Sequence, residues 1–427
     1  MNKRSRITAA LALSSALVLV SGSALAVDPS VVSKEWNSYL ESFAPLGEKF
    51  VPQMSQPDDP QLRQELYQNL FAGIVGGYFA RFHGTLEQPQ FRPNLNEIVN
   101  FATVNPDDAY TLADLDPKGT YRISGFRGSV RVLDFQFGGG NYYQTGQYPF
   151  PFTISNHHIG EGGEITSKKT GAFSVIVSAQ RPAGYKGAWW QLGDKASYVM
   201  VRQVSSDWAK EVDARFAIER LDTPPETPRM TVEQLQKNIG LVKTWADGQT
   251  QLSFDWLKKN VIDKGMINKI FIRHFPEGGL TTQKYGEGIF KIEPDEALIL
   301  ETEIPKPCVY WSIHLNDMLW RTLDSYTRQG NLNDTSARLD KDGKFRAVIS
   351  VKDPGVPNWL DTSGYTEGDF VHRWLDCADL KSDPVMTKVK LADIRKYLPA
   401  DTPVITPEQR KESNRARNRA RQMRKRW

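Results

Sequence analysis

The feature that most constrains this chain is period-two alternation, which returns in two separate stretches. Tyr121-Arg-Ile123, Val130-Arg-Val132 and the run Leu133, Phe135, Phe137 alternate apolar with other residues, and Phe173 to Ala179, Tyr198 to Val204 and Phe216 to Leu221 read as further strands. Successive strand side chains point to opposite faces, so this spacing predicts β-structure. The 15 Tyr, 20 Phe and 11 Trp favour strands in the same regions. Gly125-Phe-Arg-Gly128 reads as a hairpin turn between the first two runs. A proline-rich break at Thr223-Pro-Pro-Glu-Thr-Pro228 ends the first stretch. A second strand-rich block follows, and its clearest hairpin is Ser336–Leu339, Asp340-Lys-Asp-Gly343, Phe345–Val351.

Helices punctuate the ends and the middle. Trp36, Tyr39, Leu40 and Phe43 recur at helical spacing. Asp58 and Asp59 before Pro60 suit a helix start, and Leu62, Leu66, Leu70, Ile74 and Tyr78 make an i, i+4 stripe that Gly84 can end. Gly73, Gly76 and Gly77 on that helix allow another element to come close. Thr231 with Gln234, and Thr406 with Pro407 and Gln409, are capping boxes opening a mid-chain and a C-terminal helix. The expected fold is α+β: a β-sandwich or jelly-roll-like core with N-terminal helices, one mid-chain helix and a basic C-terminal helix. Its parts are a signal peptide (1–26), a helical region (27–104), a first strand-rich block (105–222), a linker and helix (223–262), a second strand-rich block (263–400) and a basic tail (401–427). No repeat of short fixed period is visible, and the two blocks are either two packed sheets or two related domains.

Lys3, Arg4 and Arg6, the uncharged stretch from Ile7 to Val20 and Ala24-Leu25-Ala26 form a cleavable secretory signal. The expected location is the periplasm or the exterior, with no membrane span after cleavage. The formal net charge of +4 comes from the two ends: the last 21 residues hold nine Lys or Arg against two Glu, and the body between is net acidic. That weakens any nucleic-acid reading of the body. The tail is expected to lie on an anionic envelope surface or to fold back on the body, with Ala416, Ala420, Met423 and Trp427 as its thin apolar stripe. Cys308 and Cys377 lack zinc-ligand spacing, and in an oxidising compartment they are expected to form a disulfide.

No nucleophile elbow, Walker loop or HExxH pair is present. His157-His158-x-Gly160-Glu161 holds metal-ligand types, but neighbours on a strand face opposite ways, so no metal or other cofactor is assigned. Tyr310-Trp-Ser-Ile-His-Leu-Asn316 alternates so that Tyr310, Ser312, His314 and Asn316 share one polar face. Asp353-Pro-Gly-Val-Pro-Asn-Trp-Leu-Asp361 is a proline-stiffened loop presenting Asn358, Trp359 and Asp361. The candidate ligand site joins Tyr310 and His314 to Asn358, Trp359 and Asp361, with His372 as a further member. Aromatic planes with a few fixed polar groups suit an unidentified small molecule or glycan, polar or amphiphilic. The alternatives are a carbohydrate- or ester-active hydrolase or lyase using His314 or His372 with Asp317 or Asp361, and an envelope scaffold protein.

These strings carry a resemblance. Val309-Tyr-Trp-Ser-Ile-His-Leu-Asn316, Asn331-Leu-Asn333, Asp340-Lys-Asp-Gly343 and the Asp353–Asp361 string resemble the bacterial family catalogued as domain of unknown function 1214. Asn105-Pro-Asp-Asp-Ala-Tyr110, Tyr121-Arg-Ile-Ser-Gly125, Val201-Arg-Gln203, Asp207-Trp208 and Ile218-Glu-Arg220 extend the likeness over about 105 to 400. The resemblance implies a β-sandwich or jelly-roll core with helical additions, and no reaction.

Overall fold

The computed structural model describes residues 29–147, 151–160, 165–274 and 279–424, so the expected signal peptide lies outside the described residues. Residues up to Glu41 form a unit of their own, whose described part is the helix α1 (Pro29–Glu41). Everything from Ser42 onward is one compact unit.

That unit is strand-rich, and both alternating stretches fold into two-sheet sandwiches. The first contains β1 (Arg92–Pro93), β2 (Asp108–Asp114), β3 (Tyr121–Phe126), β4 (Val132–Gly139), β5 (Phe152–His158), β6 (Ala172–Ser178), β7 (Trp189–Gln191), β8 (Ala196–Val204) and β9 (Arg215–Arg220). The second contains β10 (Phe271–His274), β11 (Gln283–Lys291), β12 (Glu296–Glu303), β13 (Cys308–Asn316), β14 (Asn331–Asn333), β15 (Lys344–Ser350), β16 (Trp359–Asp361), β17 (Glu367–Cys377) and β18 (Val385–Lys390). The sheet orders are β1-β2-β8-β4-β5 with β7-β6-β3-β9, and β10-β11-β17-β13-β14 with β16-β15-β12-β18. Adding nine to every strand number of the first pair gives the second pair. The edge strand β7 runs parallel to β6, and β16 runs parallel to β15. The two blocks are therefore two copies of one architecture.

Each sandwich closes on the apolar half of its alternation. Ile123, Leu133, Phe135, Val175, Val177, Val199 and Val201 fill the first. Leu298, Leu300, Trp311, Ile313, Phe345, Ile349, Phe370 and Trp374 fill the second. The two five-stranded sheets then turn their other faces toward each other: Val132 and Val204 of the first pack with Tyr310 and Leu375 of the second. Cys308 and Cys377 stand opposite one another on β13 and β17 and are joined as a disulfide.

Two expected hairpins differ. Gly125–Gly128 does not join paired strands; β3 pairs with β6 and β9 in the outer sheet, while β4 belongs to the inner one. The glycines carry the chain from layer to layer, with Gly128 at φ +66°. The Asp340–Gly343 turn does form, with Gly343 N–H donating to Asp340 O at 2.9 Å. However, across the turn only a single bridge, Leu339 to Phe345, ties the chain to β15, whose ladder partners are β12 and β16.

The helices follow their caps. Asp59 accepts from the N–H groups of Gln61 and Leu62 and starts α3 (Pro60–Phe82). Thr231 and Gln234 complete the capping box of α5 (Val232–Leu257). The short helix α2 (Ala44–Phe50) packs near their ends through Leu46 and Phe50 against Leu66, Leu70 and Phe254, and the single turn α4 (Tyr142–Thr145) follows β4. Gly73, Gly76 and Gly77 do admit a neighbour: a Cβ at Gly73 would lie 2.8 Å from Ala246 Cα, and one at Gly77 2.9 Å from Val242 Cα. Together α4 and α5 cover part of the inner face of the first sandwich through Tyr142, Tyr143, Trp245 and Leu252.

The tail helix α6 (Pro407–Met423) folds back on the body, and its arginines rather than its apolar stripe make the contact. Met423 is 80% exposed, and Trp427 lies outside the described residues. Arg410 is buried against Asp353 at 2.9 Å and stacks over Trp359. Arg417 lies over Trp208, and Arg421 pairs with Glu97 at 2.7 Å. Arg424 donates to Asp107 O at 3.1 Å. Since Asp353 and Trp359 belong to the second sandwich and Asp107 and Trp208 to the first, the helix straps the two copies together.

Overpacking a tight helix crossing costs about 1–3 kcal/mol. Gly77→Val should lower stability by that order in urea denaturation. Gly240→Ala, exposed on α5 with nothing within 4 Å of its added Cβ, should instead raise it by up to about 1 kcal/mol.

Candidate functional site

The two inner sheets do not close on apolar side chains alone. Between them lies a cavity of about 100 Å³. Its walls include Asp108 and Tyr110 of β2, Arg202 of β8, Tyr142 and Tyr143 of α4, Arg273 of β10, Tyr285 and Glu287 of β11, and Arg373 of β17. Three arginines and two carboxylates thus line one small space.

The duplicated register explains how the arginines arrive. On β2 and β8, Tyr110 stands opposite Arg202; on β11 and β17, Tyr285 stands opposite Arg373. Arg202 lies over the Tyr110 ring at 5.8 Å, and Arg373 over the Tyr285 ring at 5.6 Å. The same correspondence places Gln136 on β4 where His314 stands on β13. Arg202 donates to Gln136 Oε1, and Arg373 Nη1 lies 2.9 Å from His314 Nδ1. Each copy therefore presents one guanidinium, held by a tyrosine ring across the ladder and by one polar residue on the next strand.

Burial sets the protonation states. Desolvation pushes Asp108 up to about 7, against the pull of Arg202, Arg424 and Arg373 and a hydrogen bond from Tyr110. Its Oδ1 has no hydrogen-bond partner, and the residue is 6% exposed. Burial alone would lower the Arg202 guanidinium, but the Tyr110, Tyr285 and Asp108 side chains hold it above its ordinary value. Glu287 is tied to Arg273 and accepts from Trp256 Nε1 at 3.3 Å. Desolvation, with Glu287 adding repulsion, also raises Asp369, which accepts from Asn316 Nδ2 at 2.7 Å.

The six residues expected to form a ligand site are not brought together as one. Tyr310, Ser312, His314 and Asn316 do share a face, but it is buried against the first sandwich. Tyr310 donates to Asp107 Oδ2 at 2.6 Å and accepts from Asn105 Nδ2 at 2.9 Å. Burial and the nearby Arg373 push the His314 imidazole well below its usual range, leaving it neutral. His372 faces the other way, into the apolar interior of the second sandwich beside Trp311, Phe345 and Trp374; burial lowers it to about 3. Asn358 holds backbone, donating to Arg338 O at 2.7 Å and Arg346 O at 2.8 Å. Trp359 donates from Nε1 to Ser350 O at 3.1 Å, and Asp361 pairs with Arg328 at 3.0 Å. Trp359 and Asp361 border an open groove beside α6, away from the inter-sheet cavity.

The stiff loop has a counterpart that fixes its role. Trp189 stands on β7 opposite Ile176, as Trp359 stands on β16 opposite Val348. Trp189 Nε1 donates to Ser178 Oγ at 3.0 Å, and Arg181 lies over its ring at 5.5 Å. A tryptophan pinned at the parallel edge and covered by an arginine is thus a device of both copies. The pair of histidines on β5 is split by the pleat, and His157 stacks on Trp190 at 4.4 Å. Glu161 lies outside the described residues.

Residues 293–377 match the family model described as "Protein of unknown function (DUF1214)". The chain carries a DUF1214 domain. The matched residues run from just before β12 to the end of β17, so the domain supplies Arg373 and His314, while Arg202 comes from the other copy. No curated protein matches the chain. A solved structure of an uncharacterized protein from Burkholderia cenocepacia is similar at 24% identity, with a TM-score of 0.76, over 85% of this chain and 98% of that one. The likeness shows the fold alone. A Vibrio parahaemolyticus protein is similar at 12% identity and a TM-score of 0.44, over 76% of this chain and 99% of that one.

The state of Asp108 has a consequence for stability. Its folded value of about 7 lies above the ordinary 3.8, so the folded chain binds this proton more tightly than the unfolded chain. Its contribution is then most favourable at acid pH and is lost as pH rises toward 7. Asp108→Asn should flatten that decline and make the protein relatively more stable above pH 7, as read from thermal melts across pH.

Proposed function

We propose that this protein is exported and binds a small polar molecule bearing an acidic group in the cavity between its two sandwiches. The observation that carries this reading is the matched pair of arginines, half-buried Arg202 and buried Arg373, each stacked on a tyrosine in the wall of one cavity. With Glu287 engaged by Arg273 and Asp108 largely protonated below pH 7, positive charge prevails there. Guanidinium groups recognise carboxylates and phosphates through planar pairs of N–H donors. Four tyrosines supply ring surface and hydroxyls around them. A space of this size holds several waters or one small molecule and has no room for a sugar chain. Export rests on the basic start, the apolar stretch and Ala24-Leu25-Ala26, and the cross-strand disulfide suits an oxidising compartment.

The hydrolase alternative finds less support. His314 and His372 are buried on opposite faces of one sheet, Asp317 is held by Arg321 at 2.7 Å, and Asp361 by Arg328. Titration calorimetry at pH 6 with small carboxylates and inorganic phosphate tests the binding reading. At least one anion should bind, with an affinity that falls as pH passes 7 and Asp108 becomes a competing anion. Arg373→Met should weaken it at least about tenfold, or about 1.4 kcal/mol. Absence of binding by every anion at pH 6 would contradict the reading.

A further inference from the structure

The duplication says more about the ligand than its charge. The two guanidinium groups occupy equivalent positions of facing sheets, Arg202 on β8 and Arg373 on β17. Both line the same cavity, and the Asp108 carboxyl feels both of them. Each is flanked by its own tyrosine and steadied by its own neighbour, Gln136 or His314. Arg373 is further fixed by Thr103, donating from Nη2 to the carbonyl oxygen at 2.6 Å and to Oγ1 at 3.0 Å. A ligand with one acidic head would meet only one of these half-sites. A ligand with two heads would satisfy both.

On the anion-binding reading, we infer that the preferred ligand is a short dicarboxylate, one carboxylate meeting Arg202 and the other Arg373. The halves are related but not identical. Asp108 stands beside Arg202 at the position that Gln283 holds beside Arg373, and Leu112 corresponds to Glu287. The two ends of the cavity therefore differ, which favours a diacid with unlike ends, such as one carrying a hydroxyl on one side. The cavity volume restricts the linker to a few carbons.

Titration calorimetry of the full chain tests this with matched pairs: malonate against propionate, succinate against butyrate, and glutarate against valerate, with malate and inorganic phosphate alongside. At least one dicarboxylate should bind at least about tenfold more tightly than its one-headed partner. Arg202→Gln and Arg373→Gln should each bring that dicarboxylate down to the level of the monoacid, with melting temperature reporting whether the variant is folded. The comparison of ligands on the unaltered protein stands even where a variant does not fold. Equal binding of diacids and monoacids, or phosphate binding more tightly than every diacid, would overturn the two-headed ligand and leave the anion site standing. No binding by any of these acids or by phosphate would overturn both.

Discussion

The structure depends on burying charge between two sheets. An isolated guanidinium taken out of water is costly, so it must be matched by partners that cannot move away. Here strand register supplies those partners: a tyrosine across one ladder and an amide or imidazole across the next. Because the arrangement occurs in both copies, the two inner sheets meet on polar faces as well as through Val132, Val204, Tyr310 and Leu375. Conventional sandwiches face water on such surfaces. This one turns them inward, and a small cavity is the result.

Several features that look special in one copy become ordinary when compared with the other. Trp359 resembles a ligand platform until Trp189 is seen at the same place on β7, also pinned by its indole N–H and covered by arginine. Ser178 and Ser350 likewise both donate to a carbonyl two residues on, Gln180 at 2.7 Å and Lys352 at 2.8 Å. What both copies share at an outer edge is architecture. What both share on the inner face, next to a cavity, is the better guide to binding.

Much of the local structure was legible in the sequence. The capping residues of α3, α5 and α6, the close helix crossing at Gly73 and Gly77, and the strands themselves follow from short-range chemistry. Partnering was not legible, because alternation marks a strand's faces without saying which sheet it joins. That is why Gly125–Gly128 reads as a hairpin yet links two layers. The same ambiguity hides the cavity. On a strand, Tyr110, Arg202, Tyr285 and Arg373 read as the solvated half of the alternation, and only the register shows them opposite one another and indoors. The signal that was available is Val201-Arg-Gln203 and His372-Arg-Trp374: an arginine set among large apolar strand residues (Val199, Met200 and Val201; Phe370, Val371, Trp374 and Leu375), once in each block. His372 drew the reading one residue astray, onto the face that fills the second sandwich.

The account stands on Arg202 and Arg373 sharing one desolvated space, and a double-mutant cycle on stability tests that most directly. Two like charges in one cavity repel, so removing either relieves the other. Urea denaturation of Arg202→Met, Arg373→Met and the double variant should show the second substitution to be less favourable once the first is made, by about 0.5 kcal/mol or more. High salt should not abolish the difference, because buried charges are poorly screened. Additivity of the two substitutions within about 0.3 kcal/mol would place the arginines in separate environments and contradict the shared site.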